Sequence, residues 1–518
     1  MSSLSHAPER PSAPRWWFAV AGLASVILGL GAAELAAALV ARASSPLLVV
    51  GALVIDLVPG RVKDAVISLF GTADKIVLLV TLAFVIAILS ALAGLLERRW
   101  SPWGRALLAV LGLVGVVAAV TRANAGQLAA VPSLVAIVAA VLVLGSLAKR
   151  LRAAPASTPA YDAGRRGFLI AAGVTAGLGA LAVVGGRMLT AGQQATRAVR
   201  TAFKLPMAAT PASALPAGAS FDVAGLAPLV TPNADFYRID TALQVPVVDP
   251  KTWKLTISGM VDAELSITFD ELAALPLEES YTTLACVSNY VGGDLIGNAK
   301  WLGYPIRELL RRAGPRAGAD MVLSTSVDGF TASSPLSVLT DDRNAILAIG
   351  MNGEPLPFEH GYPVRMVVPG LYGYVSATKW VTKLEVTTFA KYAAYWTERG
   401  WSERGPVKLS SRIDVPRDGG GPVAAGAVTV AGVAWCQHTG ISAVQLRIDD
   451  GPWTEAELAD AISADTWRQW KYDWQAKSGH HVLTVRAVDA HGTVQIAKVA
   501  DVVPDGATGL HSIDVTVS

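Results

Sequence analysis

Cysteine is scarce in this chain, with only Cys286 and Cys436 among 518 residues, which excludes a disulfide-stapled scaffold. One bridge remains formally open, but the two thiols fall in different predicted domains and nothing in the sequence brings them within bonding distance. Histidine is scarce as well. Of the seven, His6 precedes the long apolar runs, and His360, His438, His480, His481, His491 and His511 follow them. A helical bundle without histidine cannot ligate haem b through two imidazoles, so a cytochrome is excluded there. An excess of one charge is missing too. The formal net charge is +2 and no basic stripe marks the C-terminal half, so a nucleic-acid partner is excluded.

What is present divides the chain. Residues 16–190 are dominated by Ala, Val, Leu, Ile and Gly, whereas residues 220–518 have ordinary soluble composition. A helix needs about 20 apolar residues to cross the hydrocarbon core. Ile76–Leu96, Ala106–Thr121, Ala123–Ala148 and Gly167–Gly186 carry no charge, and Trp16–Ala41 is interrupted only by Glu34. These predict five spans. Ala43–Ile55 is cut short by Asp56 and Pro59, which suits a re-entrant or interfacial segment better than a sixth span. Glu34 and Asp56 are expected at the interface. Basic residues gather at Arg98, Arg99 and Arg105, and again from Lys149 to Arg166. The positive-inside rule puts both loops in the cytoplasm, so the last helix delivers residue 190 onward to the far side whether the spans number five or six. Arg165-Arg166-Gly167-Phe168-Leu169 before that helix has the form of a twin-arginine export signal placed internally, the alternative being an ordinary positive flank.

Residues 191–230, rich in Ala, Pro and Thr, read as a linker. Beyond it, Trp253–Gly259 alternates as a half-buried strand, Thr268-Phe269-Asp270-Glu271 has the form of a capping box, and Pro305–Arg312 predicts a helix closed by Gly314. Short strands and helices without regular alternation argue for an α+β domain over 231–400. From about Gly405 the pattern is strands alone, including Val428–Val433, Val444–Ile448 and Val482–Val488, with turns at Asp450-Gly451 and His491-Gly492. This predicts an immunoglobulin-like β-sandwich over 401–518. Trp453, Trp467, Trp470 and Trp474 would fill its core or an interface. The fold class is therefore multidomain: a transmembrane α-helical bundle over 1–190, a linker, an α+β domain and a β-sandwich.

A lone cysteine in Thr283-Leu284-Ala285-Cys286-Val287-Ser288-Asn289 is by itself no sign of chemistry, since most are buried and inert. Its company is more telling: Trp301-Leu302-Gly303, Val327-Asp328-Gly329-Phe330, Met351-Asn352-Gly353-Glu354-Pro355-Leu356-Pro357, His360–Gly370 and Lys379-Trp380. In these motifs, in this order, the chain resembles the sulfite oxidase family of molybdopterin oxidoreductases, over residues 233–518. The resemblance implies molybdenum held by one molybdopterin and by the thiolate of Cys286, a soft ligand suited to that metal. It implies Arg238, after Tyr237, beside the metal. It further implies that Tyr237, Thr325, His360, Arg365, Ser376 and Lys379 contact the cofactor, His360 and Arg365 at the positions that hold the pterin and its phosphate, for which Arg supplies fixed bidentate donors. Taken singly, Arg365 and Lys379 would be surface ion-pair residues and His360 a turn histidine. The segment Gly373–Lys379 is one residue longer than the sulfite oxidase pattern, which bears on Ser376.

The implied activity is two-electron or oxygen-atom transfer on a small substrate outside the cytoplasm. A reductase of S-oxides or N-oxides is the rival enzyme, and a non-catalytic surface module the rival of another class. Sulfite oxidases carry a tyrosine two residues before Met-Asn-Gly. Ile349 stands there and can neither donate nor accept a hydrogen bond. Ile239-Asp240 replaces the family's Asn-His after the arginine, and a carboxylate facing the site would disfavour a dianion. The expected partners are the lipid bilayer, a separate electron-transfer protein, since no Cys-x-x-Cys-His motif occurs, and, by resemblance alone, a second copy paired through the sandwich.

Overall fold

The computed structural model describes residues 14–41, 44–58, 62, 66, 69–70, 74–122, 125–153, 159–188 and 191–518. It forms two compact units, the helices up to Ala195 and a second unit of Thr196–Thr241 with Val245–Ser518. The first contains α1 (Arg15–Val40), α2 (Pro46–Leu57), α3 (Asp74–Arg99), α4 (Trp103–Val120), α5 (Val131–Ala153) and α6 (Pro159–Met188). Among the described residues four stretches are long and apolar enough to cross a membrane: Arg15–Val40, Lys75–Arg99, Trp103–Val120 and Val131–Arg152. The span expected from Ala123 starts only at Val131, because residues 127–130 form a turn ahead of it. The expected Gly167–Gly186 span lies within α6, where the shorter stretch Leu169–Val184 is apolar. Helix α2 has 12 residues, too few to cross. Arg165 and Arg166 fall on the α6 backbone, and their side chains lie outside the described residues.

Helix α1 packs against α3, α5 and α6. Glycines permit the close crossings: a Cβ on Gly22 or Gly94 would collide with the backbone of the opposite helix, the small-residue packing that brings apolar helices together. Glu34 accepts a 2.5 Å hydrogen bond from Ser45 Oγ, and Asp56 is exposed near the end of α2. The carboxylate that sequence reading passed over is Glu97. It is buried where α3 ends and accepts from Ser101 Oγ at 2.7 Å and from the Arg105 backbone and Nε, both at 3.1 Å, with Arg152 at 3.7 Å. Glu97 thus ties α3, α4 and α5 together beside the basic cluster.

Helix α7 (Ala191–Ala202) spans the boundary between the two units, which falls at Thr196. The linker expected over 191–230 begins with this helix, and residues 203–241 form an extended strap bonded along their length. The Ala209 N–H donates to Leu277 O at 2.8 Å, Phe221 N–H to Gln469 Oε1 at 2.9 Å, and Leu229 O accepts from Asn298 Nδ2 and Trp467 Nε1 at 2.8 and 2.9 Å. Its Ala/Pro-rich composition conceals this because the strap is held through backbone groups, which carry no compositional signature.

The α+β part has two five-stranded sheets. One runs in the order β2 (Leu265–Thr268), β1 (Lys254–Gly259), β10 (Val381–Thr387), β5 (Met321–Ser326), β6 (Thr331–Pro335), with β1 and β10 parallel. The other joins β3 (Glu278–Ala285), β4 (Ile296–Pro305), β7 (Ile346–Met351) and β8 (Glu354–Pro355), with β9 (Arg365–Val367) on the side of β7. Between the strands lie α8 (Phe269–Ala273), α9 (Ile306–Ala313), α10 (Leu336–Thr340) and α11 (Gly373–Ser376). Thr268 and Glu271 close the expected capping box on α8, and Gly314, at φ +69°, ends α9.

Beyond Gly405 two four-stranded sheets face each other. They are β11 (Ser410–Val415), β12 (Gly426–Trp435), β16 (Arg468–Ala476), β15 (Glu457–Leu458) and β14 (Thr454–Glu455), β13 (Ile441–Ile448), β17 (Gly479–Asp489), β18 (His511–Val517). Trp470 and Trp474 lie in their shared core, while Trp467 packs into the core of the α+β part and Trp453 carries Arg447 and Arg486 stacked on its ring. The four tryptophans thus divide among core, interface and surface.

Candidate functional site

Cys286 is the first residue past the end of β3. Its N–H donates to Leu295 O at 2.9 Å and its carbonyl accepts from Asn289 N at 3.1 Å, so a closed turn fixes the side chain. The thiol is buried, which pushes its pKa up, while the Val287 and Ser288 amides and the Ser288 hydroxyl donate to the sulfur and Lys379 adds positive potential. Those donors suit a thiolate, the form that a metal takes.

Cys286 opens on a cleft of about 110 Å³. Tyr237, His360, Arg365 and Lys379 share its wall. Gly361, at φ +111°, makes this convergence possible: a Cβ there would lie 3.0 Å from Arg365 Cβ and 3.2 Å from Lys379 Cβ. Arg365 opens β9 and is 5% exposed. Its donors reach only backbone carbonyls, His360 O at 3.2 Å, Met366 O at 3.3 Å and Ala377 O at 3.5 Å, and the guanidinium lies 5.1 Å from the Trp301 ring centroid. Burial lowers its pKa to about 10, and no carboxylate among the described residues pairs with it. Lys379, lowered by burial to about 8, pairs with Asp240 at 3.0 Å. Burial holds the Tyr237 phenol far above its ordinary range, so it stays protonated.

The His360 ring nitrogen Nε2 lies 3.0 Å from Asn233 O, which fixes Nε2 as the protonated nitrogen of the neutral ring. Burial, with the Arg365 charge, lowers its pKa from 6.5 to about 4. The unfolded chain therefore takes up this proton on acidification before the folded one does. Stability from this group is complete above about pH 6.5 and lost as pH falls toward 4. His360→Gln should flatten the acid limb by on the order of 2 kcal/mol between about pH 7 and about pH 4.5, read by urea unfolding at each pH. Identical slopes in the two proteins would show that the imidazole protonates freely in the fold.

A family model for the oxidoreductase molybdopterin binding domain matches residues 242–396. Mouse mitochondrial sulfite oxidase is 30% identical over 323 residues, 53% of this chain and 58% of that protein. The uncharacterized oxidoreductase YuiH of Bacillus subtilis is 32% identical over 170 residues, 33% of this chain and 82% of that protein. The chain belongs to the sulfite oxidase family of molybdopterin oxidoreductases. It spans 58% of the length of the mammalian sulfite oxidases it matches. The sulfane dehydrogenase SoxCD of Paracoccus pantotrophus shares the fold, at 22% identity and TM-score 0.50 over 57% of this chain and 84% of that one.

The cofactor of this family is molybdenum with molybdopterin, and the residues present fit such a group. Among the described residues no cluster of three His, Cys, Asp or Glu could hold a metal. Arg365 is a buried cation without a counter-charge, which an anionic phosphate completes.

Three expected contacts are not in the wall. Arg238 is 37% exposed and pairs with Asp240 at 2.9 Å, so that carboxylate, not the cleft, holds its guanidinium. In β5 alternation turns Ser326 toward the cleft and Thr325 to the other face. Ser376 is fully buried and donates to Tyr372 O at 3.0 Å within α11, leaving Gly373, Tyr374 and Ala377 at the surface of the cleft. Ile349 is fully buried in β7 and is not a lining residue. The lining also includes Phe330 of the Val327–Phe330 motif and Tyr374, together with Trp396 and Trp401, which sequence reading did not single out. Aromatic residues scattered over 70 positions carry no pattern that reveals their convergence.

Proposed function

We propose that the chain is a membrane-anchored oxidoreductase that carries out two-electron or oxygen-atom transfer on a small substrate, with Cys286 as the protein ligand to molybdenum. The observation that carries this is the buried, unbalanced guanidinium of Arg365 on the same cleft wall as Cys286. When bound, the cofactor supplies the redox chemistry. The chain's part is positional and electrostatic. Cys286 anchors the metal, Arg365 meets the phosphate, neutral His360 packs beside it without competing for protons, and the Tyr237 hydroxyl is held protonated as a hydrogen-bond donor facing the cleft. The catalytic unit lies outside the cytoplasm in this reading, exported through Arg165-Arg166, and a separate protein exchanges electrons with it. The C-terminal sandwich is of the immunoglobulin type and pairs two copies.

Within that class, the lining favours a neutral organic oxide over an oxyanion. Asp240 engages both Lys379 and Arg238, Asp328 adds a second carboxylate, and much of the lining is aromatic. A dianion would meet little free positive charge beyond Arg365. Molybdenum analysis of purified protein from a cofactor-competent host, with a dye-linked panel, tests both levels. About one metal per chain and reduction of sulfoxides with reduced viologen are expected. Folded protein without molybdenum would show a non-catalytic module, and fast turnover of micromolar sulfite with ferricyanide would reject the organic-oxide reading.

A further inference from the structure

The charges that line the cleft do not balance, and the remainder is negative. Lys379 is taken by Asp240 at 3.0 Å, and Arg365, in the proposed function, by the phosphate of the cofactor. Asp328 is left over. Among the described residues no lysine or arginine pairs with it, and its carboxylate is held only by a long hydrogen bond, from the Phe330 N–H to Oδ1 at 3.4 Å. The turn that makes this bond, with Gly329 at φ +89°, keeps Asp328 half-buried in the cleft wall. A chain of aromatic rings continues from the same turn. Centroid distances are 5.8 Å from Phe330 to Tyr395, 5.2 Å from Tyr395 to Trp396, 6.1 Å from Trp396 to Trp401 and 5.9 Å from Trp401 to Tyr374. All but Tyr395 line the cleft, and Arg399, stacked 3.7 Å from the Tyr395 centroid, does not line it either. The planes of Trp396 and Trp401 stand 75° apart, so the two indoles form a corner rather than a flat wall.

A carboxylate and a group of ring faces in one cleft recognise an organic cation between them. The carboxylate supplies the opposite charge, and the rings attract the cation through their quadrupoles while packing against its alkyl groups. A metal ion suits the place poorly, since no three His, Cys, Asp or Glu cluster there among the described residues. An anion would meet Asp328 as a repulsive charge. We propose that the cleft selects an organic oxide that also carries an alkylated ammonium group, the ammonium held by Asp328 with Trp396 and Trp401, and the oxide directed to the Cys286 end. This deepens the organic-oxide reading of the same cleft and rests on it.

The test is calorimetric titration of the full-length, cofactor-loaded protein in detergent. Choline is the cationic probe, and the control is the uncharged alcohol in which a tert-butyl group replaces its trimethylammonium. Choline is expected to bind about tenfold tighter, the scale of a desolvated cation–π contact. Asp328→Asn keeps an oxygen to accept from the Phe330 N–H and removes only the charge, so the ratio of the two Kd values should fall to within about twofold. Trp396→Leu should lower that ratio too, which places the probe in the cleft and serves if Asp328→Asn fails to fold. Equal Kd values in the wild type, or a preference for choline that survives both substitutions in folded protein, would overturn the assignment. Turnover is read separately, on two methyl sulfoxides that differ only in bearing a trimethylammonium or a tert-butyl group, with reduced flavin mononucleotide as donor because viologen is itself a cation. A lower KM for the cationic sulfoxide supports the assignment, and equal KM values overturn it. Reduction of neither sulfoxide would reject the organic-oxide reading, and the titration would still decide the cation site.

Discussion

Cys286→Ser is expected to yield a folded protein whose turnover falls by more than about a thousandfold, since even residues that merely support a metal ligand are worth 10- to 100-fold. The exchange removes one sulfur from a buried turn and alters volume little, so folding has no reason to fail. The backbone bonds to Leu295 O and from Asn289 N that shape the turn survive. The donors now aimed at the sulfur would meet a hydroxyl, a harder and far less acidic ligand. Pterin should still be retained through Arg365, so the variant separates metal anchoring from cofactor docking. Activity within tenfold of wild type would remove Cys286 from the metal site.

How far the sequence foretells this molecule depends on which groups carry each feature. Local signals gave reliable elements: the Thr268–Glu271 capping box, the Pro305 and Gly314 boundaries of α9, and the alternating strands beyond Gly405 all match the structure. The strap over 203–241 was illegible because backbone groups hold it. Glu97 was passed over because a carboxylate near a basic loop looks like an ordinary surface charge. Its burial depends on Arg105 and Arg152 arriving from other helices.

The candidate site shows the same division. Cys286, Tyr237, His360, Arg365 and Lys379 meet in one cleft, and Gly361 makes the tight turn that brings His360, Arg365 and Lys379 together. Arg238 and Thr325 were misplaced by single-residue geometry: a neighbouring carboxylate captured the first, and strand alternation turned the second away. Asp240 was expected to repel dianions if it faced the site. It does line the cleft, but bonded to two cations, so its effect is to neutralise Lys379 rather than to add free negative charge.

Arg365→Met should leave a protein purified with less than about a tenth of the wild-type molybdopterin, yet with stability in the cofactor-free state unchanged to within about 1 kcal/mol. The two effects part because they arise in different states. Without cofactor, Arg365 is a buried cation at a desolvation cost, offset by long hydrogen bonds to the carbonyls of His360 and Met366 and by the Trp301 ring. Methionine forfeits those contacts but removes the cost and keeps much of the apolar packing. With cofactor, the same guanidinium is the free charge that a buried phosphate requires, and methionine leaves that anion unpaired. Arg365→Lys keeps the charge without the planar fork and should retain an intermediate amount. Pterin fluorescence after acid release and urea unfolding of the cofactor-free proteins give the two readings. A loss of about 3–5 kcal/mol in the methionine variant, the usual cost of breaking a buried ion pair, would instead make Arg365 a structural residue and remove the observation on which the proposed function rests.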